Sequence, residues 1–270
     1  MKIRRSWGGT LTSSPSRHPR WKPAHALIWT NAAAARFLSK ISPYLRVKRG
    51  QAAVLQDFAQ HLQRCRRRRD RFGHLLPLSA RQSETRKRFY QRIKALNRKG
   101  STDSRLRQGA SPTRLRPGTI SAKYLAGFID GEGCLRLAKV HHPGWNPQYA
   151  PRVTVTNTNR QILEDLRKSF GGILAHQPRR VIGWKDADQL VWTGLRVKPL
   201  LLAVRPFLQI KAKQARLLLQ FIRHRQGTHQ GRIGSGFARL SPGVIAYREA
   251  LFLRMRKLNA KGPSGSTMAH

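Results

Sequence analysis

The sequence has 270 residues and a formal net charge of +43, because 54 lysine and arginine residues stand against 11 acidic ones. Such a chain repels itself unless a polyanion neutralises it, so the composition predicts a nucleic-acid partner. Apolar residues make up 39% of the chain, which excludes a wholly disordered basic tail, and the two cysteines exclude a disulfide framework.

The first feature along the chain is an internal repeat. Ile3–Thr30 aligns without gaps with Leu166–Thr193, an offset of 163 residues (166 − 3), and 13 of the 28 pairs are identical. The same offset continues through further identical pairs, which include Pro43/Pro206, Leu45/Leu208, Lys48/Lys211, Gln51/Gln214 and Phe58/Phe221. After a shift of one residue, Leu78-Ser79 matches Leu240-Ser241 and Leu96-Asn97 matches Leu258-Asn259. The chain therefore contains two copies of one unit.

The two copies differ in length at their front. Residues 1–100 are predicted to form a truncated copy, 101–120 a linker rich in Ser, Gly, Pro and Arg, 121–262 a complete copy and 263–270 a disordered tail. Residues 121–165 have no counterpart in the first copy, which starts in mid-unit at Met1. Two explanations stay open: the true start lies upstream, or the gene has lost the front of its first copy.

In the complete copy, hydrophobic periodicity changes along the chain between that of helices and that of strands. It predicts helices over residues 121–130, 159–170, 199–207, 213–225 and 243–259, and strands over residues 134–140, 151–156, 173–177 and 189–193. Ser121 is placed to cap the first helix, and Gly171-Gly172 ends the second. This order predicts an α+β fold in which the helices lie on one face of an antiparallel sheet.

The first of these helices has an unusual composition. Ala126, Gly127 and Gly131 lie within or at the end of an otherwise apolar helix, although glycine costs about 1 kcal/mol at an interior helix position. Close approach of two helices would compensate for that cost. A carboxylate at the tip of each helix would then lie near the other, which divalent cations between them would make tolerable, as in a two-metal site for phosphodiester hydrolysis.

Three ordered segments resemble the LAGLIDADG homing endonuclease family. Tyr124–Gly133 reads Tyr-Leu-Ala-Gly-Phe-Ile-Asp-Gly-Glu-Gly, and Arg205–Ala215 reads Arg-Pro-Phe-Leu-Gln-Ile-Lys-Ala-Lys-Gln-Ala. The Val155–Asn159 turn precedes a helix that ends in Phe-Gly-Gly. The resemblance covers residues 121–262 fully and residues 3–100 in truncated form. It implies αββαββα units whose saddle-shaped antiparallel sheets bind DNA, arranged as two pseudo-symmetric repeats.

The resemblance also implies roles for particular residues. Glu132 would bind a divalent metal ion, Mg²⁺, with the Gly131 carbonyl, although the family often has Asp at the position of Glu132. Lys211 would stabilise charge at the scissile phosphate or orient the attacking water, with Lys48 as its counterpart in the first copy, and Asn157 would position metal-bound water. Asp130 would hold the end of the motif helix, which contacts a second such helix through Ala126, Gly127 and Asp130.

Alternation along the strands separates a core face from a DNA-binding face. With Leu135, Leu137, Val153 and Val155 inward, the outward set from the complete copy is Arg136, Gln148, Arg152, Thr154, Gln177, Arg179 and Gln189. Ser14, Ser16 and Arg17 are the candidates from the first copy. In the family this face lies in the major groove, where Arg reads guanine and Gln reads adenine. The buried partners of the sheet are expected to include Trp29 and Trp192.

The predicted function is that of a site-specific endonuclease that cuts both strands of a long DNA site using Mg²⁺. Two alternatives remain: an RNA-binding intron maturase, which does not need both acids, and a catalytically inactive DNA-binding remnant. The chain would act as a monomer of two repeats, or as a homodimer through the 121–133 helix. No apolar run reaches the roughly 18–20 residues of a membrane span, so no membrane partner is expected. Organellar, bacterial and phage contexts all fit.

Overall fold

A computed structural model describes residues 2–14, 24–65, 70–74, 76–97, 120–141, 146–178, 186–228, 232–233, 236–237 and 240–260. The chain divides into two compact units, and the described residues up to 97 belong to unit 1 and those from 120 onward to unit 2. The predicted tail and all of the predicted linker except Ile120 lie outside the described residues. So do three of the predicted DNA contacts, which are Ser16, Arg17 and Arg179.

Unit 2 alternates helices and strands in the predicted order. Its described elements are α5 (Ala122–Glu132), β3 (Gly133–Val140), β4 (Gln148–Asn157), α6 (Arg160–Phe170), β5 (Ile173–Gln177), β6 (Ala187–Thr193), α7 (Val197–Val204), α8 (Ala212–Gly227), β7 (Arg232–Ile233), β8 (Gly236–Phe237) and α9 (Pro242–Asn259). Strands β3 to β6 form one antiparallel sheet in the order β3-β4-β6-β5. Helices α5 to α9 contact this sheet and one another. The predicted α+β class with an antiparallel sheet is confirmed.

The helices cover one face of the sheet and bury the residues predicted to point inward. Leu135, Leu137, Val153 and Val155 are all less than 5% exposed. They pack with apolar side chains from the helices, which are Leu125, Ile129, Leu163, Leu166, Leu201, Leu218 and Phe221. Ser121 caps α5 by accepting a hydrogen bond from the Tyr124 amide, and Gly171 ends α6 with φ of 69°, in the left-handed region that favours glycine. Both predicted helix boundaries are confirmed.

Three of the predicted boundaries that differ from the structure have a clear physical reason. β4 begins at Gln148 rather than at Pro151, because Gln148–Ala150 pair with the far end of β3. β6 begins at Ala187 rather than Gln189, since Ala187 and Asp188 pair with β5. The helix predicted over residues 199–207 is α7 followed by a 3-10 turn over Arg205–Phe207, because Pro206 has no backbone N–H to continue an α-helix.

Unit 1 contains a smaller set of elements. They are α1 (Lys2–Trp7), β1 (Thr10–Ser14), β2 (Ala24–Ile28), α2 (Asn31–Ile41), α3 (Arg49–Arg64) and α4 (Ala80–Asn97). β1 and β2 form a two-stranded antiparallel sheet, whose Thr10↔Ile28 register equals that of Ile173↔Val191 in unit 2 after the offset of 163. α3 and α8 both have 16 residues and follow Lys48 and Lys211.

The two units also share individual hydrogen bonds. The indole Nε1 of Trp29 donates to the Trp7 carbonyl at 2.9 Å, and that of Trp192 donates to the Phe170 carbonyl at 3.0 Å. Gln51 donates to the Leu96 carbonyl at the end of α4, as Gln214 does to that of Leu258 at the end of α9. The repeat in the sequence is therefore a repeat of detailed local structure. None of the described helices has the length and apolar character to span a membrane.

Candidate nucleic-acid and catalytic site

The C-terminal end of α5 is fixed by Asp130. Its carboxylate accepts two backbone hydrogen bonds from the segment before α8, from the Gln209 amide at 2.7 Å and from the Lys211 amide at 2.9 Å. Hydrogen bonds to a carboxylate are among the stronger ones in proteins. Asp130 therefore joins the motif helix to the segment that carries Lys211, two regions about 80 residues apart in the sequence.

Lys211 lies against the same helix end. Its Nζ donates to the carbonyl oxygens of Ile129 at 2.9 Å and Asp130 at 2.5 Å, both in the last turn of α5. Burial lowers the pKa of Lys211, while the nearby Asp130, Cys134 and Glu132 act to raise it. The ammonium group is thus a helix cap in this structure, which the motif alone did not predict. It also places a positive charge close to Glu132.

Glu132 is the last residue of α5 and is exposed. Its carboxylate makes no hydrogen bond or ion pair with another residue in the described part of the chain. Gly131 beside it is also exposed. The next residues start β3, and Cys134 there is exposed on the outer face of the sheet. The motif helix thus presents one carboxylate at an edge where a ligand can reach it.

The small residues of α5 point in different directions. Gly127 is exposed, and a Cβ built on it would have no atom within 4 Å. Ala126 is 0% exposed, and the Asp130 side chain is bound by the segment before α8. Ala126 and Asp130 therefore do not lie on an accessible helix-interface surface, contrary to the prediction, because α5 turns that side toward its own unit. Of the three predicted residues, Gly127 is the one left open to a second helix.

The side of the sheet opposite the helices, here called the outer sheet face, carries most of the predicted DNA contacts. Register pairs Arg136 with Arg152 on β3 and β4, and Gln148 is exposed near the other end of the same hairpin. Gln177 is exposed at the end of β5, and Ser14 is exposed at the equivalent place in unit 1. The side chains on β3, β4 and β5 lie on the face predicted from strand alternation, and their contact with DNA stays a prediction.

Two predicted contacts on the outer sheet face are less accessible. Thr154 is 7% exposed, because β4 is a central strand. Cys134 of β3 lies on one side of Thr154 and Val191 of β6 on the other. Its burial argues against base contact, contrary to the prediction. Gln189 is half-buried, and its Nε2 donates to the Thr156 hydroxyl at 3.2 Å.

The remaining predicted catalytic residues are Asn157 and Lys48. The Asn157 side chain accepts a hydrogen bond from the Asn159 amide at 2.9 Å, which forms the turn that leads into α6. Lys48 has φ of −103° and ψ of 21°, close to the −99° and 17° of Lys211. Lys48 is exposed, whereas Lys211 is partly buried against the end of α5.

One polar cluster of unit 2 was not predicted. The Lys139 Nζ donates to the Glu249 carboxylate at 2.7 Å, and the Tyr149 hydroxyl donates to the same carboxylate oxygen. The hydrogen bonds from Lys139 and Tyr149 lower the pKa of Glu249, while burial and Glu249 raise the pKa of Tyr149. These contacts fix the β3–β4 hairpin to α9. No sequence signal marks them, because residues 139, 149 and 249 come together only in the folded unit.

Sequence similarity to known proteins covers part of the chain. No protein-family model matches it. The DNA endonuclease I-CvuI of Chlorella vulgaris is 32% identical over 104 residues, which cover 37% of this chain and 62% of that protein. The match therefore spans less than two thirds of that relative.

Solved structures extend the similarity to both units. I-LtrWI, a LAGLIDADG homing endonuclease crystallised with its target DNA, matches with a TM-score of 0.61 and 14% identity over 94% of this chain and 80% of its own. I-SmaMI bound to cleaved DNA matches with a TM-score of 0.60 and 15% identity over 94% of this chain and 81% of its own.

The order of strands and helices, together with a motif helix that ends in an exposed acid, defines the LAGLIDADG homing-endonuclease fold. The motif residues and the sequence similarity to I-CvuI add to this agreement in fold. The chain is therefore similar to LAGLIDADG homing endonucleases in fold and, over part of its length, in sequence.

Proposed function

We propose that the chain binds double-stranded DNA at a long, specific site and acts as a metal-dependent endonuclease. The observation that carries this proposal is Glu132, an exposed carboxylate at the end of the motif helix, next to the outer sheet face and to the Lys211 ammonium. The net charge of +43 supports strong attraction to a phosphate backbone. The relatives named above are DNA endonucleases, and two were crystallised with DNA.

The outer sheet face is proposed to bind the DNA. Arg136 and Arg152 are directly opposite one another on β3 and β4, and arginine can donate two hydrogen bonds to a guanine edge. The Nε of Arg152 is buried and has no hydrogen-bond partner among the described residues. Gln148 and Gln177 are exposed and can pair with adenine in the same way. Lys211 holds the end of α5, so it fixes where Glu132 lies relative to these strands.

A divalent metal ion such as Mg²⁺ would supply Lewis-acid activation of water or phosphate in this reaction. Glu132 and the Gly131 carbonyl offer oxygen ligands of the type that Mg²⁺ prefers. The described residues nevertheless contain no group of three or more His, Cys, Asp or Glu side chains that could hold a metal. Asp130 is bound to two backbone amides. The residues described therefore fit one half of a two-carboxylate site and not a complete one.

The second half is proposed to come from a second chain that pairs through the same helix. Gly127 is exposed in the middle of α5 with open space around it, and an exposed interior glycine costs a helix about 1 kcal/mol. Contact with another α5 backbone would give that glycine a use. Such a homodimer through the 121–133 helices would bring two Glu132 carboxylates to one place.

A library of randomised DNA duplexes incubated with the purified chain and Mg²⁺ tests the proposed activity. Nicking or cutting of selected sites is expected, and it is expected to stop with Glu132→Gln or with a chelator. Glu164→Gln is the matched control, because Glu164 is an acid of the same unit paired with Arg160 on α6. Cutting by Glu132→Gln at the wild-type rate would contradict the proposal.

An RNA-binding intron maturase is the second candidate. It is favoured by the same basic charge and by the presence of one motif acid, since RNA binding does not require a pair of carboxylates. A splicing assay that compares the wild-type chain with Glu132→Gln separates the two functions. Equal rescue of splicing by both, without DNA cutting by either, would support the maturase, and DNA binding alone would indicate an inactive remnant.

A further inference from the structure

Unit 1 keeps an apolar surface that is covered in unit 2. This uncovered surface consists of side chains from β2, α2 and α3 and of the residues next to them, which are Leu27, Trp29, Phe37, Leu38, Ile41, Leu55 and Phe58. Their counterparts in unit 2 are all less than 5% exposed, and they are Leu190, Trp192, Leu200, Leu201, Val204, Leu218 and Phe221. None of the seven residues of unit 1 is buried, and Leu55 is 41% exposed.

Residues 120–157, together with the first turns of α6 that hold the buried Ile162 and Leu163, account for this difference. In unit 2, β4 pairs with β6 from Arg152↔Thr193 to Asn157↔Asp188, which occupies the edge of β6 that β5 leaves free. Helix α5 contacts α7, and β3 contacts α8 and α9. Within the described residues of unit 1, β2 pairs with β1 alone. Within its described residues, unit 1 thus offers an open edge of β2 and partly exposed apolar side chains whose counterparts are covered by a helix–strand–strand segment in unit 2.

A charged residue beside the uncovered surface indicates which charge such a segment must carry opposite it. In unit 2, Glu249 of α9 pairs with Lys139 of the β3–β4 hairpin, and Phe252 contacts the Tyr149 ring with centroids 6.1 Å apart. The alignment with an offset of 162 (240 − 78) places Lys87 at the position of Glu249 and Tyr90 at that of Phe252. Tyr90 is 66% exposed and Lys87 is exposed. An aromatic residue is kept at the position of Phe252, whereas the negative charge of Glu249 is replaced by the positive charge of Lys87.

We propose that the uncovered surface of unit 1 binds a helix–strand–strand segment of the same type as residues 120–157, with an acidic residue at the position of Lys139. A copy of this chain's own segment fits the apolar surface but would place Lys139 against Lys87, two positive charges in one half-buried contact. Such like-charge contacts disfavour a wrong partner, and opposite charges select a right one. The surface is therefore specific for a different segment and not for a second copy of this chain.

Binding of two forms of the segment to the full chain tests the proposal. Residues 118–158 are produced on a soluble carrier, as wild type and as Lys139→Glu, and are titrated against the 270-residue chain by fluorescence anisotropy. The Lys139→Glu segment is expected to bind about tenfold more tightly than the wild-type segment. With Lys87→Glu in the chain, the wild-type segment is expected to bind more tightly than the Lys139→Glu segment.

Lys94→Glu is the matched control for net charge. Lys94 lies on the same helix, and its counterpart Arg256 is basic too, so the proposal assigns no charge reversal to this position. With Lys94→Glu in the chain, the Lys139→Glu segment is still expected to bind more tightly than the wild-type segment. Hydrogen exchange of the Ala24–Ile28 amides locates the binding, because these amides belong to the strand edge that the segment would cover.

A covalent form keeps the test decisive if the isolated segment does not fold. Residues 120–164 joined directly to Lys2 recreate the order of a complete unit, since Asp165 aligns with Lys2. With Lys139→Glu in the added segment, exchange of the Ala24–Ile28 amides is expected to slow by about tenfold or more. Equal affinity of the chain for both segments, or unchanged exchange in the covalent form, would overturn the proposal. It would also be overturned if a nucleic-acid duplex protected the same amides and Lys87→Glu abolished that protection.

Discussion

Units 1 and 2 have the same local structure in different surroundings. Trp29 and Trp192 make the same hydrogen bond, and Asn31 with φ of 48° adopts the same left-handed backbone conformation as its counterpart Gly194 with φ of 62°. Yet Trp192 is 2% exposed, whereas Trp29 is only half-buried. Local sequence therefore determines the turns and strand pairing, while burial depends on whether a segment such as residues 120–157 covers the unit.

The difference in burial predicts a difference in stability at the paired tryptophans. Trp192→Ala should lower the free energy of unfolding by about 3–5 kcal/mol, since it empties a fully enclosed site. Trp29→Ala should cost about half as much or less, because Trp29 contacts Phe37 on one face and solvent reaches it elsewhere. Urea unfolding of both variants, followed by circular dichroism, measures the two values. Equal losses would mean that unit 1 is covered as fully as unit 2.

The paired lysines provide the next contrast. Lys211→Met removes the cap on the Ile129 and Asp130 carbonyls and should destabilise the protein by about 1–2 kcal/mol. Lys48→Met should change stability by no more than about 0.5 kcal/mol, because Lys48 is exposed and its side chain makes no hydrogen bond among the described residues. The same unfolding measurement compares them. A large effect at Lys48 would show that unit 1 has a helix end of its own against this residue.

Gly127 separates the stability of one chain from the pairing of two. Gly127→Ala should stabilise the monomer by about 1 kcal/mol, since the new methyl group meets no atom within 4 Å. It should weaken pairing through α5 at the same time, which sedimentation of the chain with bound DNA would detect. Gly243→Ala on α9 also meets open space and is the control that should leave pairing unchanged. Stronger pairing with Gly127→Ala would contradict the helix contact.

The smallest expected effect comes from the contact between the hairpin and α9. Hydrogen bonds from Lys139 and Tyr149 hold the pKa of Glu249 below its usual value of 4.5, so Glu249 stabilises the folded state above that pH. This stability, about 1 kcal/mol or less for a partly exposed group, should be lost as the pH falls through the lowered pKa. Glu249→Gln should remove that part of the pH dependence of unfolding, which urea titrations at a series of pH values measure. Unchanged pH dependence in Glu249→Gln would show that this contact adds no stability.

Much of the fold could be predicted from the sequence because its signals are local. The 163-residue offset, the period of the strands and the glycines after α6 predict the element order and the side of the sheet that Arg136, Arg152 and Gln148 occupy. The prediction of a strand start at Pro151 is wrong, although proline is disfavoured inside strands. Pro151 lies inside β4, but β4 pairs with β6 only from Arg152 onward. At Pro151 the strand therefore has a paired neighbour on the β3 side alone, which leaves room for a residue without a backbone N–H.

The candidate site was harder to predict because it depends on contacts distant in sequence. Neighbouring small residues in a helix do not reveal which one faces the core, so the sequence predicts the same role for Ala126 and Gly127 although one is buried and the other open. Alternation assigns Thr154 to a face but does not give its depth on a central strand. The position of the Lys211 ammonium depends on a helix end about 80 residues earlier in the chain.

Hydrogen exchange on the wild-type chain tests the central contrast most directly, because it compares equivalent strands in one molecule. The amides of β6 (Ala187–Thr193), which has a neighbour on each side, are expected to exchange at least about a hundredfold more slowly than those of β2 (Ala24–Ile28), which has one among the described residues. Equal protection of the two strands would contradict the account, since it would mean that unit 1 is as fully covered as unit 2.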